Sequence, residues 1–410
     1  MGRALFISIA GHGHINPTIG IVRELMNRGE KVTYIAGEEF RNKVEEIGAE
    51  FIGHKNFNMA NRVGGSLSLI SDKVSLDTIM KSDFNNMILD VIETFKEIIE
   101  AVFNSKDRFD YIVYDSTFIF GVEIGRVLNI PAISSTTTFG INETILKKVV
   151  EKLSLGWLMG VLNNPSILDF ARYLEESFHM KFPKTLGEVV RQGTINFVYT
   201  SRYFQPYNES FDESYKFIGP SIIDRKEAIE FNINNPENKK VIYISLGTIF
   251  NNSLEFYENC FKAFGDMNVQ VIMSVGKKVD IKTFKDIPSN FEVFNYVPQL
   301  EVLKNTDIFI THGGMNSTNE GLYYDIPLIL IPQFADQPIV AKRVAELGAG
   351  VVIEKSEVTP EKLKQAVENI LSNDSFKTGS KKLGKSLRDA GGYKRGTDEI
   401  LNLKKVEVLL

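Results

Sequence analysis

Two of the chain's five histidines fall in one word, Gly11-His12-Gly13-His14-Ile15-Asn16-Pro17, directly after an apolar run. Imidazole titrates near neutrality, so a histidine at the carboxyl edge of a parallel sheet can take the proton of an attacking hydroxyl, a role worth roughly 10²–10⁴-fold in rate. Such a histidine can equally do no more than cap the helix that follows. A second apolar run, Phe109-Asp110-Tyr111-Ile112-Val113-Tyr114, ends on Asp115. A carboxylate there can hold an imidazole in one tautomer and stabilise the imidazolium formed in the reaction, or it can cap the next helical segment. The third candidate runs from Asp307-Ile308-Phe309-Ile310-Thr311 into His312-Gly313-Gly314-Met315-Asn316-Ser317-Thr318-Asn319-Glu320-Gly321. Paired glycines admit a phosphate to the backbone, and the amides and dipole of a following helix stabilise its charge.

These residues need strands and helices to position them. Short β-branched runs alternate with segments of helical period, the pattern of parallel strands covered by helices. Strands are predicted at Ala4–Ile9, Lys31–Ile35, Tyr111–Tyr114, Ala132–Ser135 and Asn196–Tyr199. A second set follows at Val241–Ser245, Val269–Ser274, Phe291–Phe294, Ile308–Ile310, Leu328–Ile331 and Val351–Ile353. Helices are predicted from about Thr18 to Arg28, at Asn85–Val102, Ile141–Leu155 and Pro338–Leu347. The polar stretch Gly219–Lys240, with Pro220 and Pro236, reads as an interdomain linker. The long section Asn56–Lys184 departs from tight βαβ spacing and is expected to supply loops around a ligand pocket.

At 410 residues the chain fits two domains. With 43% hydrophobic and 24% charged residues, each half can build its own core. A net charge of −5 gives no basic footprint for nucleic acid. A single cysteine, Cys260, cannot form an intrachain disulfide, which points to a reducing compartment, the cytoplasm. The first apolar run stops at Gly11 and reads as a buried strand rather than a signal peptide. No run reaches the roughly 18 apolar residues of a membrane span. The nearest, Leu153 to Leu162, is about ten residues long and leaves only a peripheral membrane contact open.

Taken together, the words resemble glycosyltransferase family 1, the UDP-dependent glycosyltransferases, and most of all its bacterial macrolide glycosyltransferase group. The likeness covers nearly the whole chain. It rests on Gly13-His14-x-Asn16-Pro17, Ser245-Leu246-Gly247-Thr248, Tyr296-Val297-Pro298-Gln299, His312-Gly313-Gly314-x-Asn316-Ser317-x-x-Glu320-Gly321 and Pro332-Gln333-x-x-Asp336-Gln337. The resemblance implies an α/β fold of GT-B architecture, two Rossmann-like domains facing each other across a cleft. Residues 1–218 would bind the acceptor, 219–240 link, 241–385 bind the nucleotide sugar, and 386–410 pack back on the first domain.

It further implies an inverting, metal-independent transfer, with the UDP-sugar a co-substrate and no cofactor. His14 would be the base, backed by Asp115, with His12 a loop residue. The nucleobase would stack on Tyr296, where many relatives carry Trp, and hydrogen-bond to the Val297 backbone, with Gln299 nearby. Ser245, Gly247, Thr248, His312, Gly313, Gly314, Asn316 and Ser317 match the diphosphate words, Glu320 the ribose contact. Asp336 and Gln337 match the pair on the sugar hydroxyls, a terminal glutamine leaning toward glucose. No D-x-D triplet, the metal-carboxylate word of the other nucleotide-sugar transferase architecture, occurs in the chain.

The implied activity is transfer of a hexose, glucose first, to a small apolar hydroxylated acceptor such as a phenolic, flavonoid or macrolide. Competing readings keep the fold and change the substrate: a lipid or cell-wall-precursor transferase, or a nucleotide-sugar epimerase. An NAD(P)-binding protein is disfavoured, since Asn16 stands where the dinucleotide fingerprint has its third glycine, and the Glu320 word speaks against it too. A catalytically dead sensor would not need both His14 and Asp115. Among the chain's 29 phenylalanines, Phe57, Phe84, Phe118, Phe139 and Phe178, with Trp157, are candidates to line an aromatic pocket or to be core.

Overall fold

The structure, a computed structural model, describes residues 2–9, 11–54, 76–150, 164–189, 193–223, 231, 233–248, 251 and 253–407. Phe57, Trp157, the Leu153–Leu162 stretch and residues 224–230 and 232 of the expected linker lie outside them.

The chain divides into two compact units. The first comprises Met1–Tyr199, Tyr207–Ser221 and Gly391–Leu410, the second Thr200–Pro206 and Ile222–Ala390. The first unit's sheet holds β1 (Arg3–Ile7), β2 (Lys31–Gly37), β3 (Glu50–His54), β4 (Tyr111–Asp115), β5 (Ala132–Thr136), β6 (Ile195–Val198) and β7 (Tyr215–Phe217). Their order is β3-β2-β1-β4-β5-β6-β7, and every pair is parallel. The second unit's sheet holds β8 (Lys240–Ser245), β9 (Val269–Ser274), β10 (Phe291–Phe294), β11 (Ile308–Thr311), β12 (Leu328–Leu330) and β13 (Gly350–Val352), in the order β10-β9-β8-β11-β12-β13. Here too the ladders are all parallel.

Central strands are buried on both faces, so they read as unbroken apolar runs such as Ala4-Leu5-Phe6-Ile7 and Val241-Ile242-Tyr243-Ile244. Two strands were not expected from the sequence, β3 and β7. Both are sheet edges, and β3, Glu50-Phe51-Ile52-Gly53-His54, has exposed residues at Glu50 and Gly53 and only two adjacent half-buried apolar ones, so neither offers a long apolar run. The first helix, His12–Asn27, begins well before the expected Thr18, which puts His14 in its opening turn rather than in a loop. The helix predicted at Ile141–Leu155 is described over Glu143–Val150.

The first unit's core includes Leu5, Ile7, Phe95, Phe118 and Phe120. Phe118 meets Phe95 edge-on at 5.2 Å, and Phe178 stacks on Phe103 at 4.8 Å. Phe118 and Phe178 are therefore packing residues rather than a pocket lining, while Phe139 is half-buried. The second core gathers Ile242, Ile244, Tyr257, Phe264, Ile308 and Ile310.

Each unit closes on a helix from the end of the chain. Gly392–Glu407 packs on His12–Asn27, and Arg28 pairs with Asp398 at 2.5 Å. Asp374–Asp389 packs on Met315–Tyr323, where Arg388 pairs with Asp325 at 2.9 Å. In the second unit, Thr200 and Phe204 of the segment Thr200–Pro206 bond to Asn319 and Arg343.

At Gly384 the Asp374–Asp389 helix comes so close that a Cβ would stand 2.2 Å from Asp325 Oδ1 and 2.3 Å from the Leu322 carbonyl oxygen. Overpacking of that kind costs about 1–3 kcal/mol. Gly384→Ala is expected to lower the melting temperature of the second unit by several degrees in a thermal scan; an unchanged transition would show that this helix contact is not tight.

Candidate active site

In an open parallel sheet, ligands bind beyond the carboxyl ends of the strands where the strand order reverses. In the first unit that place is between β1 and β4, paired with Ile7 opposite Tyr114. His14 follows β1 and Asp115 ends β4. His14 Nδ1 lies 2.6 Å from Asp115 Oδ2. The Asp115 side chain is 2% exposed and that of His14 33%, so the carboxylate is sealed while the imidazole reaches the surface.

Burial raises the Asp115 pKa, but the neighbouring His14, the His14 hydrogen bond and two bonds from Thr117 outweigh it, and the net direction is down. Asp115 is thus an ionised acceptor. A carboxylate cannot donate, so the ring proton sits on Nδ1 and the imidazole lone pair on Nε2. The bond from Thr117 N to Asp115 Oδ1 measures 2.9 Å, and the Thr117 hydroxyl donates to the same oxygen. Thr137 Oγ1 stands 3.5 Å from His14 Nδ1.

Asp115 does not cap the next helix, which starts at Gly121 after Phe120. His12 is exposed and meets Phe40 edge-on at 5.0 Å. The dyad lines a small pocket with Phe6, Ser8, Thr18, Val113 and Ser135. Beneath it lie two buried phenols. Tyr34 shares a 2.7 Å bond with Thr18, and Tyr199 accepts from Ser135 at 3.2 Å; burial pushes the pKa of both up.

In the second unit the strand order reverses between β8 and β11, with Thr311 opposite Ser245. Each strand runs into a glycine turn, at Gly247 (φ 77°) and Gly313 (φ 80°), in a region that favours glycine. His312 lies between them: a Cβ on Gly247 would stand 2.7 Å from its Cε1, and one on Gly314 2.4 Å from its Nε2. Burial lowers the His312 pKa to about 4, so at pH 7 it is a neutral ring. Gly314 precedes the helix Met315–Tyr323, and Asn316 and Ser317, both half-buried, stand in its first turn. Ser245 Oγ accepts from Gly247 N at 3.4 Å, and Thr248 is exposed.

Glu320, 8% exposed, accepts from Gln299 Nε2 at 2.6 Å. The Tyr243 hydroxyl donates in turn to Gln299 Oε1 at 3.3 Å. Tyr296 is 56% exposed and Val297 2%.

Asp336 directly precedes the helix Gln337–Glu346. Gln337 Oε1 accepts from Gln333 N at 2.8 Å and from Phe334 N at 3.1 Å, clamping a loop in which Ala335 holds φ 60°. The carboxamide oxygen is thus committed, and Nε2 is its remaining donor. Sequence reasoning missed this clamp, as it missed Thr117 and Asn251, whose Nδ2 donates to the Gly247 carbonyl at 3.0 Å. Asp-x-Thr after a strand end is an Asx-turn signature and was a signal for Thr117.

Among the described residues no helix is long and apolar enough to cross a membrane, and no group of three His, Cys, Asp or Glu side chains is placed to hold a metal ion.

Residues 258–389 match the family model described as "Erythromycin biosynthesis protein CIII-like, C-terminal domain". The chain is 36% identical over 407 residues to the uncharacterized UDP-glucosyltransferase YojK of Bacillus subtilis (strain 168), covering 99% of this chain and 98% of that protein. It is 35% identical to the NDP-glycosyltransferase YjiC of the same organism, over 96% of this chain and 95% of the relative. The solved structure of the glycotransferase of kitacinnamycin superposes with a TM-score of 0.79 at 28% identity, covering 97% of this chain and 98% of that one. With two parallel α/β units and relatives aligned along nearly its whole length, the chain belongs to glycosyltransferase family 1, the UDP-dependent GT-B enzymes that include the macrolide glycosyltransferases.

Proposed function

We propose that the enzyme transfers a hexose, in the first instance glucose from UDP-glucose, to a hydroxyl of a small apolar acceptor such as a phenolic, flavonoid or macrolide, with inversion and without a metal ion. The observation that carries this reading is the 2.6 Å contact between His14 Nδ1 and buried Asp115, which leaves the lone pair on Nε2. His14 Nε2 takes the acceptor proton as the hydroxyl oxygen attacks C1 of the sugar, opposite the leaving group. The C1–oxygen bond breaks, its electron pair goes to UDP, and the configuration at C1 inverts. Asp115 stabilises the imidazolium that forms.

Charge appearing on the diphosphate is matched by the Gly247 and Gly313 turns and by the N-terminus of Met315–Tyr323. His312 adds a hydrogen-bond donor without a fixed positive charge. Glu320, held by Gln299, presents a carboxylate to the ribose hydroxyls, and exposed Tyr296 offers a face to the base. Asp336 and the Nε2 of Gln337 meet the sugar hydroxyls. One buried cysteine fits a cytoplasmic enzyme.

Base and nucleotide words belong to different units, so they separate by mutation. His14→Ala is expected to remove at least about 99% of transfer, in line with the roughly 10²–10⁴-fold a general base supplies, while calorimetry shows near-normal UDP binding. Near-normal turnover of that variant would rule out His14 as the base. With excess EDTA the initial rate should hold within a factor of about two, because a helix N-terminus takes the place of a cation; a tenfold loss restored by magnesium or manganese would refute metal independence.

For the donor, an axial hydroxyl in place of an equatorial one leaves polar groups unpaired at about 1–3 kcal/mol each. UDP-glucose should therefore exceed UDP-galactose in kcat/KM by at least about tenfold. Gln337→Glu keeps an acceptor for the Gln333 and Phe334 amides but loses the Nε2 donor. It should keep the melting temperature while narrowing the gap, whereas Gln337→Ala should lower both. Equal use of the two sugars by the unmodified enzyme would overturn the assignment.

A further inference from the structure

A hydrogen bond to the second oxygen of a buried carboxylate restrains where the first one points. Asp115 is 3% exposed, ends β4, and uses its two oxygens differently. Oδ2 meets His14 Nδ1, and Oδ1 accepts from both the backbone N–H and the hydroxyl of Thr117. The ladder does not supply this restraint, since β4 ends at Asp115 and the Ser116 amide already donates to the Ser135 carbonyl at 3.0 Å. Thr117 is itself exposed, so its hydroxyl lies between a sealed carboxylate and solvent.

We propose that Thr117 is a positioning residue for the proton transfer, its hydroxyl fixing Oδ1 of Asp115 so that Oδ2 stays aimed at His14 Nδ1. The inference rests on the reading of His14 as the base and adds a third member behind it. Two effects follow. With Oδ1 pinned, the carboxylate cannot rotate away from the ring, so the Nδ1–H tautomer persists. With a donor on the charged form, Asp115 stays ionised despite its burial.

The other ionisable groups near Asp115 are His14 from the first helix, Tyr34 from β2 and Tyr199 just after β6, each tyrosine sensing the Asp115 charge. The phenols are neutral at working pH, because burial raises their pKa. The pH response therefore belongs to the His14–Asp115 pair as a unit.

Thr117→Val removes the hydroxyl, keeps the backbone N–H and leaves a similar shape at an exposed site. With UDP-glucose as donor and 4-methylumbelliferone as a phenolic probe acceptor, kcat/KM should fall about tenfold, a fraction of what the base supplies. UDP affinity and melting temperature should not change. Loss of a donor to the charged carboxylate makes the pair take up its proton at higher pH. The acidic limb of kcat/KM should therefore move up, as should the NMR titration of the His14 ring in the ligand-free protein, a readout that needs no acceptor.

Thr117→Ser, which keeps the hydroxyl, should recover most of the rate and the original titration. If the His14 ring of Thr117→Val titrates as in the unmodified protein, or if the serine variant loses as much as the valine one, the Thr117 proposal falls while the dyad stands. If His14→Ala keeps near-normal turnover, the dyad reading itself is the one that fails.

Discussion

The constraint on which both sites depend is the reversal of strand order in a parallel sheet. Where β1 lies beside β4 and β8 beside β11, connections leave the two neighbouring strands in opposite directions and open a crevice at their carboxyl ends. The candidate site residues gather there. His14 and Asp115 occupy one reversal; Ser245, Gly247, His312 and Gly313 occupy the other.

That placement sets an electrostatic problem, and the two units solve it differently. The first buries a charge. Burial of Asp115 by itself pushes its pKa up. Three donors, the His14 ring and the amide and hydroxyl of Thr117, bring its pKa down instead. The second unit keeps its side chain neutral: burial holds His312 to about 4, so no positive charge has to be sealed between Gly247 and Gly314 before an anion arrives. In the proposed reaction the base needs a permanent counter-charge behind it, whereas the diphosphate can be met by backbone amides in a chain of net charge −5.

What the sequence disclosed follows from these physical differences. Strands buried on both faces leave a continuous apolar run, so β1, β4, β8 and β11 were legible within one or two residues. Edge strands do not, and β3 and β7 were missed. His14 and Asp115 were each visible as a polar residue at the end of such a run, but their pairing is a property of strand order, which periodicity does not encode. The first helix begins at His12 rather than at the expected Thr18, because glycines and a proline at 11, 13 and 17 look like a loop. Gln337 was legible as part of a word that matches a sugar-binding pair, yet its oxygen is spent on the Gln333 and Phe334 amides, a loop geometry that no spacing rule foretells.

The two site helices are also braced in the same way, and from the same end of the chain. His12–Asn27 is backed by Gly392–Glu407, with Gly396 so close that a Cβ would stand 2.9 Å from Ile21 Cδ1 and with the Arg28–Asp398 pair alongside. Met315–Tyr323 is backed by Asp374–Asp389, with Gly384 against Leu322 and the Arg388–Asp325 pair alongside. Ion pairs this exposed contribute at most about 1 kcal/mol, and the close glycine approach adds backbone contact to them. A glycine on the supporting helix lets the backbone itself press on the site helix, and a rigid surface transmits less motion to a reacting group than a side chain that can change rotamer. In the proposed reaction, general-base catalysis demands that rigidity of His14, since the proton must pass within hydrogen-bond distance. The proposed diphosphate cradle demands it of the Met315–Tyr323 amides, whose value lies in being aimed before the charge develops. The last two helices of the chain therefore serve the chemistry as directly as the strand ends do, although neither carries a residue that touches a substrate in the proposed reaction.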